Sequence, residues 1–514
     1  MTTISALTAS TALAPAPVVA RTDRLPVQHN AGVRVELTGG KASSSVYIEP
    51  SPAPSAGKAV CERSADDTVS ALMQRNFSSS APELRFKGLG GALLERFRTD
   101  GSSYSQSLMQ ARPGSLDAAS QLAELHRETE NQVTLSVKTA SGKAVQIKLG
   151  SGPDGLAVSV ETANDEALSA EERNALADLS TAFQDAIDGL AGGDAALKVS
   201  GLMAFDTKVL SSVDLKANIK QHDRVQSLSL HADAKSRSLE AVSAAGTVKV
   251  DVDLSQSGLL GKASQRDAAV RDYLNQFDRA RQRGDGEQAL MTQFKDAFKA
   301  LHSHYGNASE PDRLSREVTL SRGDRSVLSG MADFSASISQ VSTSPNTALP
   351  QERDSFNYEA SQRTAVTGEN TANRSVRQEQ QSALKASYHR PLQKDIPMNL
   401  GGARETQNYN YYEIADRSKS LTEIAYKDGE LIKADLSSVV NESTKVSKFI
   451  NGKQAEVNDI PSEFTQRKSL RSLLRASDRA AMAGAREQLR QHQPLLIENG
   501  YDKLASTAAK VRVR

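Results

Sequence analysis

Tryptophan is missing from this 514-residue chain, cysteine occurs once, and aromatic residues make up only 4% of it. With Cys61 alone, no intrachain disulfide framework can form. No run approaches 18 consecutive apolar residues, which excludes a bundle of membrane-spanning helices. Basic and acidic residues nearly cancel, 63 against 62, so strong overall charge is not what would keep the chain open. Hydrophobic residues reach only 38%. That composition argues against one compact globule of this length and for ordered modules separated by solvated segments.

The first 20 residues also lack charge: the first basic residue is Arg21, and Pro15 and Pro17 interrupt the only candidate apolar core. A secretory signal needs a basic start and an uninterrupted apolar stretch, so a cytoplasmic location is expected. Export by a non-Sec, needle-type route is the alternative, because uncharged Ser/Thr-rich starts occur there too.

What is present is patterning. Residues 1–65 are rich in Ala, Pro and Ser and are expected to be disordered; 66–130 hold short helical segments. In 131–260 an α+β core module is expected. Val133, Leu135 and Val137 alternate with polar residues, as do Val145, Ile147 and Leu149, then Leu156, Val158 and Val160. Gly-containing turns separate the runs, which describes an antiparallel meander with one apolar face. The stretch from Ser169 to Glu172 fits a capping box, and Leu176, Leu179, Phe183, Ile187 and Leu190 follow at helical spacing to cover that face. Further strands are expected at 225–231 and 247–254. Residues 264–305 read as a helical hairpin broken at Gly284-Asp285-Gly286. Polar residues dominate 306–403, which is expected to be a linker with no core of its own. In 404–460 a second β-meander turns at Lys427-Asp428-Gly429-Glu430 and Asn451-Gly452. A basic helix and tail are expected over 462–514. The fold class is therefore α+β, antiparallel meander modules covered by helices and separated by long disordered or solvated segments.

Candidate chemistry is sparse. Gly88-Leu89-Gly90-Gly91-Ala92-Leu93 partly matches a dinucleotide-binding turn, in which glycines let the backbone approach a pyrophosphate; Leu93 stands where Gly or Ala is needed. Ser-x-x-Lys pairs at Ser55/Lys58 and Ser382/Lys385 occur at about the chance rate and sit in segments too polar to lower a lysine pKa. His302 and His304 lack the further ligands a zinc site needs and read as cations capping a helix C-terminus. Asp251 and Asp253 point to the solvent face of a strand, and Cys61 has no activating neighbour. No catalytic residue, metal ligand or cofactor is called for.

The most suggestive feature is basic. Arg467, Arg471, Arg475 and Arg479 recur every four residues, and Arg486 and Arg490 repeat the step. Such a row on a helix would grip an acidic protein or an anionic surface. Interleaved aromatics for base stacking are lacking, so no nucleic-acid motif is recognised.

The stretch from Leu168 through Leu179 and on to Met203-Ala204-Phe205-Asp206 resembles a segment of an uncharacterised proteobacterial family. A run like Val133 to Thr139 precedes it there, and the Asn408–Ile460 meander is similar to the family's C-terminal part. The resemblance implies module boundaries and a bacterial protein, and it brings no activity with it. The preferred expectation is a non-enzymatic interaction or structural protein. The alternatives are a nucleotide- or nicotinamide-dependent enzyme using the Gly88–Gly91 turn, and an exported effector or surface-associated protein.

Overall fold

The computed structural model describes residues 59–474, apart from 65, 111–117, 128, 164–166, 193–195, 222–223, 306–317, 394 and 473. The alternating runs form the expected strands. They are β3 (Asn131–Thr139), β4 (Ala144–Ser151) and β5 (Gly155–Thr162), each antiparallel to the next. Leu135, Ile147, Val158 and Phe183 share one core, each almost wholly buried. Ser169 caps helix α4 (Ala170–Asp178) in a reciprocal box with Glu172, as the sequence pattern anticipates. The expected single covering helix breaks at Leu179, and α5 (Ser180–Ala191) continues it.

The meander belongs to a much larger sheet. Two short strands, β1 (Ala59–Cys61) and β2 (Tyr104–Gln110), flank β5 on one side. On the other side β6 (Leu210–Gln221) pairs with β3, followed by β7 (Arg224–Asp233), β8 (Ser236–Ser243) and β9 (Gly246–Asp253). The sheet runs on through β10 (Asp333–Gln340), β11 (Ser355–Gly368), β12 (Arg374–Pro391), β13 (Tyr409–Lys427), β14 (Glu430–Ile450) and β15 (Lys453–Ser469). The result is one 15-stranded antiparallel sheet. Both hairpin turns fall where the sequence places them, with Asp428, Gly429, Asn451 and Gly452 all at positive φ.

Two expectations are corrected here. The segment 306–403 is not a linker where it is described: it supplies β10, β11 and β12, and Phe356, Tyr358 and Leu384 on these strands are core residues. Its polar composition misled because a strand with a solvated face needs an apolar residue only at alternate positions. Residues 462–469 are not helical either. They finish β15, which is paired along β14 from Ile450 to Asp435. Residues 1–58 and 475–514, with the disorder and the helix expected of them, lie outside the described residues.

One face of the sheet carries most of the helices. Helix α2 (Leu89–Glu95) packs on α5, and α7 (Gln288–Leu301) lies across β8, β9 and β10. Helix α6 (Ala263–Gly284) reaches β12. The αα-hairpin of α6 and α7 closes as expected around Gly284-Asp285-Gly286. A Cβ at either glycine would stand within 2.9 Å of the Phe356 ring, so the close approach to β11 requires them. Few as the aromatics are, they cluster under this hairpin: Phe277 lies 4.7 Å from Phe294, and Phe298 meets Phe334 edge-on at 5.0 Å. Helix α1 (Thr68–Phe77) packs beside α2, and a short helix, α3 (Ala118–Leu125), sits on the opposite face, its Leu125 against Gly150 and Gly155. Elsewhere on β6–β14 that opposite face carries mostly Ser, Asn, Lys, Asp and Glu side chains at half-buried or exposed positions, except near one end of β12–β14, where His389, Tyr409 and Phe449 are buried. Among the described residues no helix is long and apolar enough to cross a membrane.

Candidate binding site

From β3 to β10 the helix-facing positions are Val, Leu, Ile, Ala and Phe, with polar residues such as Asn131, Thr139, Ser151, Thr162 and Arg237 toward the strand ends. From β11 onward the same face turns polar along the middle of the strands. Gln362 and Thr364 on β11 stand opposite Gln380 and Gln378 on β12; Gln380 and Ser382 stand opposite Ser420 and Ser418 on β13; Ser420 and Ser418 stand opposite Ser438 and Val440 on β14. Strand register thus lines up a buried polar seam across four strands, with apolar residues at both ends of it.

The seam is knitted together by short hydrogen bonds. The α6 side chain Gln276 donates from Nε2 to Ser382 Oγ at 3.1 Å, and the hydroxyls of Ser382 and Ser418 lie 2.7 Å apart. Gln380 Nε2 donates to Gln362 Oε1 at 3.1 Å, and Gln378 Nε2 to Thr364 Oγ1 at 2.9 Å. Buried polar groups are normally satisfied in this way. Four buried atoms here have no hydrogen-bond partner within reach in the protein: Gln276 Oε1, the Tyr273 and Tyr358 hydroxyls and Glu442 Oε1; the Tyr358 hydroxyl lies close to Gln276 and Ser382.

Two small cavities, each with about 10 Å³ of space for the centre of a water-sized sphere, flank Ser418. Tyr273, Gln276, Gln380 and Ser438 line the first; Ser382, Leu384, Asp416, Val440 and Glu442 line the second. Beside the second cavity, Arg283 of α6 forks onto both oxygens of Asp416, at 3.0 and 3.1 Å, and donates to Thr444 Oγ1 at 2.7 Å. Glu442 is left out of that arrangement. Burial and the neighbouring Asp416 carboxylate push its carboxyl up to about 7, against the opposing pull of Arg283. Unsatisfied donors and acceptors facing cavities of this size are groups that a bound water or a very small polar ligand would partner.

Two other titratable clusters are closed. Asp324, at the N-terminus of α8 (Arg322–Val327), is wholly buried against Arg374 and Tyr426. On the opposite face of the sheet His389 is clamped between Asp354, 2.6 Å from Nδ1, and Glu352, 3.0 Å from Nε2. Among the described residues no group of three or more His, Cys, Asp or Glu side chains could hold a metal.

The structure places the residues singled out from the sequence as follows. Gly88 starts α2 in a left-handed conformation, but Gly90 serves helix packing: a Cβ there would lie 2.5 Å from Ile187 Cδ1. The Gly91 N–H already donates to Gln184 Oε1 at 3.2 Å. Ser382 and Lys385 fall on opposite faces of β12, as an offset of three in a strand requires. His302 does not cap as a cation. Burial, with Arg237 nearby, pushes its imidazole down to about 3. The cation at that helix end is Arg237 of β8, which donates to the carbonyls of Leu301 at 2.9 Å and His304 at 2.7 Å. Asp251 and Asp253 face away from the helices as expected, and Cys61 sits on edge strand β1.

Of the arginine row, Arg467 lies exposed on strand β15 opposite Ser437, not on a helix, whereas Arg471 is exposed in a helical turn that begins just beyond the strand. Arg475, Arg479, Arg486 and Arg490 lie outside the described residues. Sequence reading missed Gln276, Arg283, Asp416, Ser418 and Glu442. One signal was available: Leu436, Ser438, Val440 and Glu442 share one phase of an alternating strand, and a glutamate in an apolar phase marks a buried charge. No family model, curated protein or solved structure matches this chain.

Proposed function

We propose that this chain is a non-enzymatic binding protein that holds a very small polar ligand in the seam between α6 and β11–β14. The observation that carries the reading is that three of the buried, unpartnered polar atoms, Gln276 Oε1, the Tyr273 hydroxyl and Glu442 Oε1, stand at two cavities that share Ser418. Leaving such groups unsatisfied costs about 1–3 kcal/mol each, a cost that a ligand supplying partners would remove. The closed pairing of Asp324, Asp416 and His389 supports binding over catalysis, since none offers a free acid or base to a substrate. The close α2–α5 contact at Gly90 speaks against a nucleotide at the Gly88–Gly91 turn.

The test is a thermal-shift panel of small polyols, amides, amino acids and alkylamines on the wild type and on Ser418→Leu, which fills the space between the two cavities. The reading expects at least one class to raise Tm saturably in the wild type and not in the variant. A panel in which no class does so would overturn it.

A further inference from the structure

We infer that the outer edge of β15 pairs with the same edge of a second copy of this chain, in a two-fold antiparallel contact centred on Thr465. Among the described residues β15 is the last strand of the sheet and is paired only with β14. The N–H of Leu470 donates to the Ala434 carbonyl at 2.7 Å, and the next residues back, Ser469 and Asp435, stand opposite each other. Bonded pairs alternate in an antiparallel ladder, so Lys468, Gln466, Phe464 and Ser462 turn their backbone groups toward β14. Ser469, Arg467, Thr465, Glu463 and Pro461 turn theirs outward. At an outward position a proline costs the ladder no bond, and Pro461 keeps its place opposite Ser443 in an unbroken register.

An open edge attracts further strands unless something blunts it. Pro461 interrupts the outward row of donors and leaves the groups from Glu463 to Ser469 continuous beyond it. The side chains of Glu463, Thr465 and Arg467 are exposed and lie in phase with Ser437, on the face of the sheet away from the helices. Four residues of strand hold Glu463 about 13 Å from Arg467 of the same chain, too far to pair. A two-fold axis at Thr465 sets each Glu463 directly opposite Arg467 of the other copy, and Thr465 opposite itself. Three facing pairs then exchange about six backbone hydrogen bonds, flanked by two ion pairs. Moving the axis to Glu463 would set two glutamates face to face and bring Pro461 inside the ladder. Charge and proline together select one register. The strand at the other edge of the sheet, β1, has only three residues and offers no comparable ladder. A contact of this size stands at the weak end of protein interfaces.

Sedimentation equilibrium of the full-length protein up to about 200 µM tests this, with a dimer of Kd about 100 µM or tighter expected. Glu463→Arg and Arg467→Glu each put like charges opposite one another and should each weaken the dimer by about tenfold or more. The double swap restores unlike pairs and should return Kd to within about threefold of the wild type. An equimolar mixture of the two single variants should form a heterodimer of similar strength, which also requires that both are folded. Thr465→Pro removes an outward N–H without touching the bonds to β14 and should abolish the dimer. A wild type that stays monomeric overturns the inference. So does a dimer indifferent to the single swaps or to Thr465→Pro, or a loss in the single variants that neither the double swap nor the mixture recovers.

Discussion

Arg374 and Asp324 form an ion pair at 2.6 Å in which both side chains are almost entirely removed from solvent. The guanidinium also lies 3.7 Å from the centre of the Tyr426 ring, and the Tyr426 hydroxyl donates to the other Asp324 oxygen at 3.0 Å. Asp324 completes a capping box with Ser321 as well, so one carboxylate ties α8 to both β12 and β13. Around it sits a separate apolar cluster of Val327, Val376, Ile424, Leu436 and Leu474.

Removing one partner of such a pair leaves an uncompensated buried charge. Arg374→Met is therefore expected to cost about 3–5 kcal/mol, read as a lower urea midpoint with little change in slope. A loss below about 1 kcal/mol would show that the pair contributes no more than an exposed one.

The His389 clamp predicts a pH dependence. Burial alone would push this imidazole down, but the hydrogen bonds and charges of Asp354 and Glu352 together outweigh it and hold it above its ordinary value. Its stabilising contribution is fully present below the unfolded-state value of about 6.5 and is lost as pH rises through the raised folded value. The Tm gap between wild type and His389→Gln should accordingly narrow above pH 6.5. The hydrogen exchange of residues 343–354, which the clamp holds, should accelerate over the same range. A gap that widens with pH would reverse the assigned sign.

Glu172 titrates in the opposite sense. Burial raises its carboxyl, but hydrogen bonds from Ser141 at 2.5 Å, the Ser169 backbone at 2.7 Å and Lys143 at 3.2 Å pull it down to about 2. Its contribution is complete above the ordinary value of 4.5 and disappears as pH falls toward 2. Glu172→Gln keeps an amide oxygen for the Ser169 N–H but loses the charge that strengthens the bonds from Ser141 and Lys143; it is expected to cost about 0.5–2 kcal/mol at neutral pH and to match the wild type near pH 2. Urea melts at pH 7, 4 and 2.5 measure this; a penalty constant across that range would refute it.

Gly90→Ala tests what the Gly88–Gly91 turn is for. The new methyl would lie 2.5 Å from Ile187 Cδ1 and 3.0 Å from the Phe183 ring, so an overpacking loss of about 1–3 kcal/mol is expected. Adding Ile187→Val removes that Cδ1 and should recover much of the loss in a double-mutant cycle. Purely additive effects would mean that the two residues are not in contact.

Legibility followed contrast between faces. Val133 to Thr139, Ala144 to Ser151 and Gly155 to Thr162 alternate apolar and polar residues, so their period, turns and covering helix could be read directly. Strand β11 carries the same signal in Phe356, Tyr358 and Ala360, but its alternation fades into Gln362 and Thr364, and the surrounding glutamines and serines hid it. On β12 the helix-facing Gln378, Gln380 and Ser382 are as polar as their open-face neighbours, so no period is visible. The arginine spacing was ambiguous for another reason. A step of four repeats a face both in a helix and in a strand, and Arg467 belongs to the strand.

By itself the sequence determined the local elements: the alternating strands, the Ser169 cap, the break at Gly284-Asp285-Gly286 and the two hairpin turns. These depend on backbone preference and on side chains a few positions apart. Only the tertiary structure decided that all the strands join one sheet, that Arg237 rather than His302 meets the end of α7, and that Glu442 lies beside Asp416 with no cation of its own. Those outcomes rest on register between strands and on helices packed from distant parts of the chain. Whether a polar side chain meets water or a buried partner is set by what covers it, and no local pattern records that.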